Sequence, residues 1–222
     1  MSYLFVNILL AVIPAVVLLI YFYNKDKQKK EPVSLVLKVF IFGFLSVIPA
    51  VIIEMVFIQF LPGTSGLASI FVKAFIVAAL VEEWIKYKTV FLTAFSNKYF
   101  DEITDGIVYT ITASLGFALF ENVFYSTGPA LTLILRGVTA VPLHATASGI
   151  MGYYIGRSKF ENPNLKYKGL AIAVLIHGLY DFFLFYGSWL ALLIFPLLII
   201  SGIILSGLYK AALKEDRLTG RS

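Results

Sequence analysis

Seven long apolar stretches dominate this chain, at 3–23, 33–60, 67–95, 103–126, 131–156, 169–186 and 190–209. None alternates apolar with polar residues. A bilayer core of about 30 Å needs roughly 20 apolar residues per helix. Strands of a transmembrane barrel are about ten residues long and alternate. The stretches are therefore helices. The chain of 222 residues is 59% hydrophobic and 14% charged, against about 25% charged for a soluble domain. A compact chain of this size cannot bury that much apolar surface within itself. A soluble domain, a disordered tail and a coiled coil are excluded. The expected fold is all-α: a polytopic helical bundle of about seven transmembrane helices in a lipid bilayer, with residues 1–222 as a single integral membrane domain. There is no Cys, hence no disulfide framework, thiolate nucleophile or Cys-ligated metal. The first span lacks a basic flank and a small-residue cleavage site, so it reads as a retained helix, not a signal peptide.

The net charge of +5 does not point to nucleic acid, because of where it lies. The segment 24–32 (NKDKQKKEP), the loop 157–168 (RSKFENPNLKYK) and the tail 210–222 each carry four Lys or Arg. The connection 96–102 carries Lys98, with Lys86 and Lys88 before it. The intervening loops LPGTSG, STGPA and GS carry none. The positive-inside rule then puts the N-terminus outside and the C-terminus in the cytosol. Prolines 14, 49, 142 and 196 fall inside spans and mark kinks. Gly149, Gly152 and Gly156 let helices approach closely.

The informative residues are ionisable groups at lipid depth, where each Asp, Lys or Arg costs about 2.5–3.5 kcal/mol. The third span holds Glu82, Glu83, Lys86 and Lys88 within seven residues. Such a span must face protein or water. Glu82 and Lys86 are four apart and share a face. Glu83 points about 100° away, so the two carboxylates meet different surroundings and their acidities are free to diverge, as acid–base chemistry requires. The fourth span carries Glu121 and Asn122. Asp105, near its start, is out of phase with Glu121 and reads as a helix-start residue. The fifth span holds His144, with Arg136 two turns earlier. The sixth holds His177 and Asp181, four apart, and an Asp in that position orients an imidazole. By residue count Glu82 lies ~22 Å, His144 ~20 Å and His177 ~13 Å into their helices, so all three fall near the midplane.

A structural reading accompanies each residue. A lone membrane His most simply makes an interhelical hydrogen bond. Lys38, Lys73, Lys88 and Arg136 snorkel or pair, and Glu54 is one isolated carboxyl without a role. The joint set of two Glu and two His at one depth favours a single hydrated pocket, with the imidazoles and at least one carboxylate within about 8 Å, close enough for direct or one-water contact.

In these residues the chain resembles the PrsW family of bacterial membrane proteases, and more distantly the CAAX prenyl protease and bacteriocin-processing superfamily. The motifs are EExxK (Glu82-Glu83-Trp84-Ile85-Lys86), FxxxE (Phe117 to Glu121), the His144 helix LHATASGIMGYYIG, and HGxYD (His177-Gly178-Leu179-Tyr180-Asp181). The resemblance runs from about residue 14 to 187. It implies a multi-pass peptidase of the bacterial cell membrane that makes the first cut in a membrane-anchored anti-sigma factor under envelope stress. The wider superfamily usually has His where this chain has Glu121, and Asn where it has Asp181.

Two chemistries fit. In one, Glu82 or Glu83 is a general base on water, while His177 with Asp181, or His144, stabilises the oxyanion, and no metal is needed. In the other, His144, His177 and either Glu82 or Glu121 hold Zn²⁺ or another divalent metal, and the other Glu is the base. Two His and one carboxylate form an accepted catalytic zinc set, although no HExxH is present. Lys86 and Asn122 support the site. The same buried charges would also suit a proton-coupled transporter, without the inverted repeat typical of one, or a non-catalytic scaffold.

Overall fold

The computed structural model describes residues 2–25, 29–60 and 66–221. Part of the basic segment 24–32 and most of the loop LPGTSG, both used above to read orientation, lie outside the described residues. Among those described, every regular element is helical. Six helices are long and apolar enough to cross a membrane: Tyr3–Lys25, Val33–Phe60, Ile103–Thr127, Ala130–Phe160, Leu165–Tyr186 and Ser188–Leu218. The seventh expected span, 67–95, is helical throughout. Its five charged residues, Lys73, Glu82, Glu83, Lys86 and Lys88, keep it out of that set.

In chain order the helices are α1 (Ser2–Lys25), α2 (Val33–Leu45), α3 (Val47–Phe60), α4 (Leu67–Phe71), α5 (Leu80–Val90), α6 (Ile103–Phe124), α7 (Ala130–Val138), α8 (Ala140–Phe160), α9 (Leu165–Tyr186) and α10 (Ile194–Leu218). Three spans expected as single helices are broken. The span 33–60 breaks at Ser46, three residues before Pro49, whose missing N–H leaves a carbonyl one turn back unpaired. Ser46 reinforces the break, its hydroxyl donating to Gly43 O at 2.7 Å. The fifth span breaks at Thr139, three residues before Pro142, for the same reason. The last span begins with a tight 3₁₀ stretch, Ser188–Leu193, and α10 then runs past the expected end to Leu218. Helix 67–95 stays continuous but widens into π geometry over Val72–Ala79 and Phe91–Phe95, on both sides of α5. Such wide turns are rare and often sit at functional sites.

Helix α6 is the axis of the bundle. In its span 72% of the apolar window is buried, against 11% for α1. Two of its threonines are satisfied within the helix itself, as a helix without water favours. Thr110 and Thr112 donate back to Gly106 O (2.6 Å) and Val108 O (2.8 Å). Helices α6 and α8 approach almost backbone to backbone. A Cβ on Gly152 would lie 2.3 Å from Gly106 O, and one on Gly156 would lie 2.3 Å from Ile103 O. Gly178 does the same for α9: a Cβ there would meet the Phe75 ring at 2.3 Å, so only Gly lets α9 reach the π segment.

One end of the bundle is tied by polar contacts. Asp105 closes a capping box with Glu102 at the start of α6. Asp216 of α10 accepts from Ile103 N (2.9 Å), Thr104 N (3.0 Å) and the Thr104 hydroxyl (2.8 Å). Tyr109 donates to Glu31. Asp105 thus belongs to this end, away from the residues gathered at the centre.

Candidate active site

Helices α5, α6, α8 and α9 bring Glu82, Glu83, Lys86, Glu121, His144, His177 and Asp181 into one cluster. The Lys86 ammonium, fully buried, lies at its middle. It donates to Glu82 Oε2 at 3.1 Å and to Glu83 Oε1 at 2.8 Å, and lies 2.8 Å from His144 Nδ1. It also lies 4.4 Å from the centre of the Phe117 ring. The other ring nitrogen of His144, Nε2, lies 2.8 Å from Glu121 Oε2.

The two adjacent glutamates differ as their helical phase requires. Glu83 is completely buried. Its Oε1 also meets His177 Nδ1 at 2.9 Å, and its Oε2 accepts from the Ser148 hydroxyl at 2.8 Å. Every direction on this carboxylate is held by protein. Glu82 instead lines a cavity of about 430 Å³, together with Glu121, Glu54, Phe117, Phe120 and residues of α3. Its Oε2 lies 3.8 Å from His177 Nε2. Asp181 Oδ2 lies 3.4 Å from the same nitrogen. The two imidazoles stand edge to face with centroids 5.2 Å apart.

Glu121 and Asn122 are joined through Arg136 of α7. Arg136 Nη2 lies 3.3 Å from Glu121 Oε2, and Nε donates to Asn122 Oδ1 at 2.8 Å. The guanidinium lies 4.3 Å from the centre of the Tyr125 ring. The break at Thr139 sets α7 apart from α8, and so delivers Arg136 to the end of α6.

Two members of the cluster are absent from the sequence reading. Ser148 holds Glu83; its position one turn after His144, on the same face, was an available signal. Ser114 donates to His144 O at 2.8 Å, and nothing in its spacing marks it. Arg136 pairs rather than snorkels, and Glu54 lies beside the cluster rather than in isolation.

The donor chemistry suits a divalent metal. Glu82, His144 and His177 each offer one ligand atom, and these three atoms lie within 4.8 Å of one another. Among the described residues, Glu82, Glu83, Glu121 and Asp181 are countered only by Lys86 and Arg136. With neutral imidazoles the cluster carries an excess of two negative charges, the charge of one divalent ion. In a membrane interior an uncompensated excess of that size is costly.

Residues 31–206 match the family described as PrsW family intramembrane metalloprotease. The chain is 40% identical to a protein named Protease PrsW from Geobacillus kaustophilus, over 78% of this chain and 77% of that one. It is 39% identical to the Protease PrsW of Oceanobacillus iheyensis, over 86% and 88% of the two chains. With the Protease PrsW of Bacillus subtilis the identity is 35%, over 82% and 84%. No solved structure matches. The transporter and scaffold alternatives give way. On its matched residues and its helical architecture, this chain belongs to the PrsW family of intramembrane metalloproteases, multi-pass proteins of the bacterial cell membrane.

Proposed function

We propose that the chain, acting as one membrane domain, cleaves a membrane-anchored protein of the anti-sigma-factor kind by glutamate-assisted attack of water. The observation that carries this reading is the meeting of two imidazoles with Glu82 and Glu121, the two carboxylates of the cluster that line a cavity. A metal would be held by His144, His177 and Glu82. When bound, it would polarise the peptide carbonyl and acidify a water. Glu83 and Asp181 are positioning residues: Glu83 fixes the His177 ring through Nδ1, and Asp181 borders its other nitrogen. Glu121 is the other carboxylate of the cluster that lines the cavity. It takes the proton of the attacking water and returns it to the leaving amine. Lys86 offsets the charge of the two glutamates beside it. In a site without metal, Glu82 takes the base role, because it faces the cavity and Glu83 does not.

The test is cleavage of a single-pass model substrate by protein reconstituted in lipid. Glu82→Gln and Glu83→Gln should each lower the rate at least about a hundredfold in protein that still inserts and folds, since the amide keeps the shape but neither accepts a proton nor carries charge. Full activity in both variants overturns the assignment. The proposed orientation, N-terminus outside, rests on the basic connections. Single cysteines at Gly128 and Asn162 of this Cys-free chain should label from outside and from the cytosol respectively; the reverse refutes it.

A further inference from the structure

The cavity beside the cluster has a feature that the hydrolytic reading does not use. Three carboxylates line it: Glu82, Glu121 and Glu54 of α3. Two have cations at hand, Lys86 for Glu82 and Arg136 for Glu121. Glu54 is half-buried and makes no hydrogen bond or ion pair among the described residues. Aromatic rings line it as well: Phe117 and Phe120 of α6, and Tyr125 just past its end. The rest of the wall is apolar and comes from the first turns of α3. That helix buries only Val47 and Ala50 and is severed from α2 at Ser46. The cavity therefore lies under a thinly packed helix on the outside of the bundle and ends at the glutamate and histidine cluster.

An unpaired carboxylate in a membrane span is costly, and it persists where something pairs with it. A divalent ion at Glu82, His144 and His177 would balance the charge of the cluster and would still leave Glu54 without a cationic partner among the described residues. Aromatic faces around a carboxylate suit the stem and head of a lysine or arginine side chain. Arg136 already lies against Tyr125 at the rim in this way, 4.3 Å from the ring centre.

We propose that this cavity is a substrate side-chain subsite and that Glu54 is its specificity-determining residue, selecting a lysine or arginine near the scissile bond of a membrane-anchored substrate. The proposal rests on the protease reading for the word substrate, and on the cavity alone for its preference for cations. A cation in an otherwise apolar segment is scarce at lipid depth, so such a subsite would pick out few membrane proteins.

Two measurements test it. In the chain carrying Val51→Cys, on the cavity wall, the thiol is alkylated with a cationic and with a neutral methanethiosulfonate reagent. The ratio of the two rates should fall about three- to tenfold when Glu54→Gln is added. The same ratio at Leu92→Cys, an exposed position on the far part of helix 67–95, should not move. Separately, the protein with Glu54 intact is given single-pass substrates that carry Lys, Arg, Leu or Glu at each position around the cut. Preference for the basic residue at one position should be about tenfold in kcat/KM, expressed in KM. It should vanish in Glu54→Gln and invert toward Glu in Glu54→Lys. Equal cleavage of Lys and Leu substrates, or thiol ratios indifferent to Glu54→Gln, overturn the subsite. Failure to cleave any substrate overturns the protease reading instead, and the thiol ratios then decide the cavity's preference by themselves.

Discussion

Replacing Lys86 by Met removes the one ammonium shared by three partners while keeping the length of the side chain. In the native protein this fully buried group meets Glu82, Glu83 and His144 at 3.1, 2.8 and 2.8 Å. Its loss leaves Glu83 without a cation in a site closed to water. Removing one partner of a buried pair costs about 3–5 kcal/mol. Glu83 keeps the Ser148 hydroxyl and His177 Nδ1, which places the expected loss toward the lower end, about 3 kcal/mol. For a chain of this length each kcal/mol moves Tm by roughly 2–4 °C. Unfolding of the purified protein in detergent should then fall by about 6–12 °C. The decisive comparison is the double variant Lys86→Met with Glu83→Gln. Taking away the stranded charge should restore most of the loss, because removing both members of a buried pair is close to neutral. If Lys86→Met unfolds within 1–2 °C of the native protein, or if the two losses simply add, the ion pair is not the source of the site's stability.

Other consequences follow from the same geometry. Active protein should carry about one divalent ion per chain by elemental analysis. The ion should be lost in His144→Ala and His177→Ala and kept in Asp181→Asn; active protein without a divalent ion would defeat the metal assignment. Gly152→Ala sets a Cβ 2.3 Å from Gly106 O and should destabilise by about 1–3 kcal/mol, lowering Tm, whereas Gly202→Ala, which meets nothing within 4 Å, should not. Asp216→Ala removes three hydrogen bonds from the start of α6. It should cost about 1–2 kcal/mol in unfolding measurements and leave kcat unchanged; a fall in kcat at equal stability would show that this end of the bundle is coupled to the site.

Much of the site was legible because helix geometry is periodic. Residues four apart share a face and residue count gives relative depth, so Glu82 with Lys86, His177 with Asp181, and one shared level for both imidazoles follow from spacing alone. The split between Glu82 and Glu83 was legible as a difference of about 100° in direction. Its meaning was not: that Glu83 is enclosed by Lys86, His177 and Ser148 while Glu82 faces a cavity depends on which helices stand on each side. Glu54 was unreadable for the same cause, because its neighbours lie on α5 and α6, distant in the chain.

Composition and spacing settle the environment and the inventory. The apolar runs demand lipid and helices, since only a helix satisfies its own backbone there, and the few ionisable residues within them demand company. Tertiary structure decided who keeps that company. The breaks at Ser46 and Thr139 free α3 to cover a cavity and α7 to bring Arg136 to Glu121. The π stretch before Glu82 alters the phase of α5, which counting at 3.6 residues per turn does not register. Glycine contacts at 106, 152 and 178 set helix separations, and hydrogen bonds are sensitive to tenths of an ångström. Periodicity is a property of one helix, whereas the site is a property of distances between four.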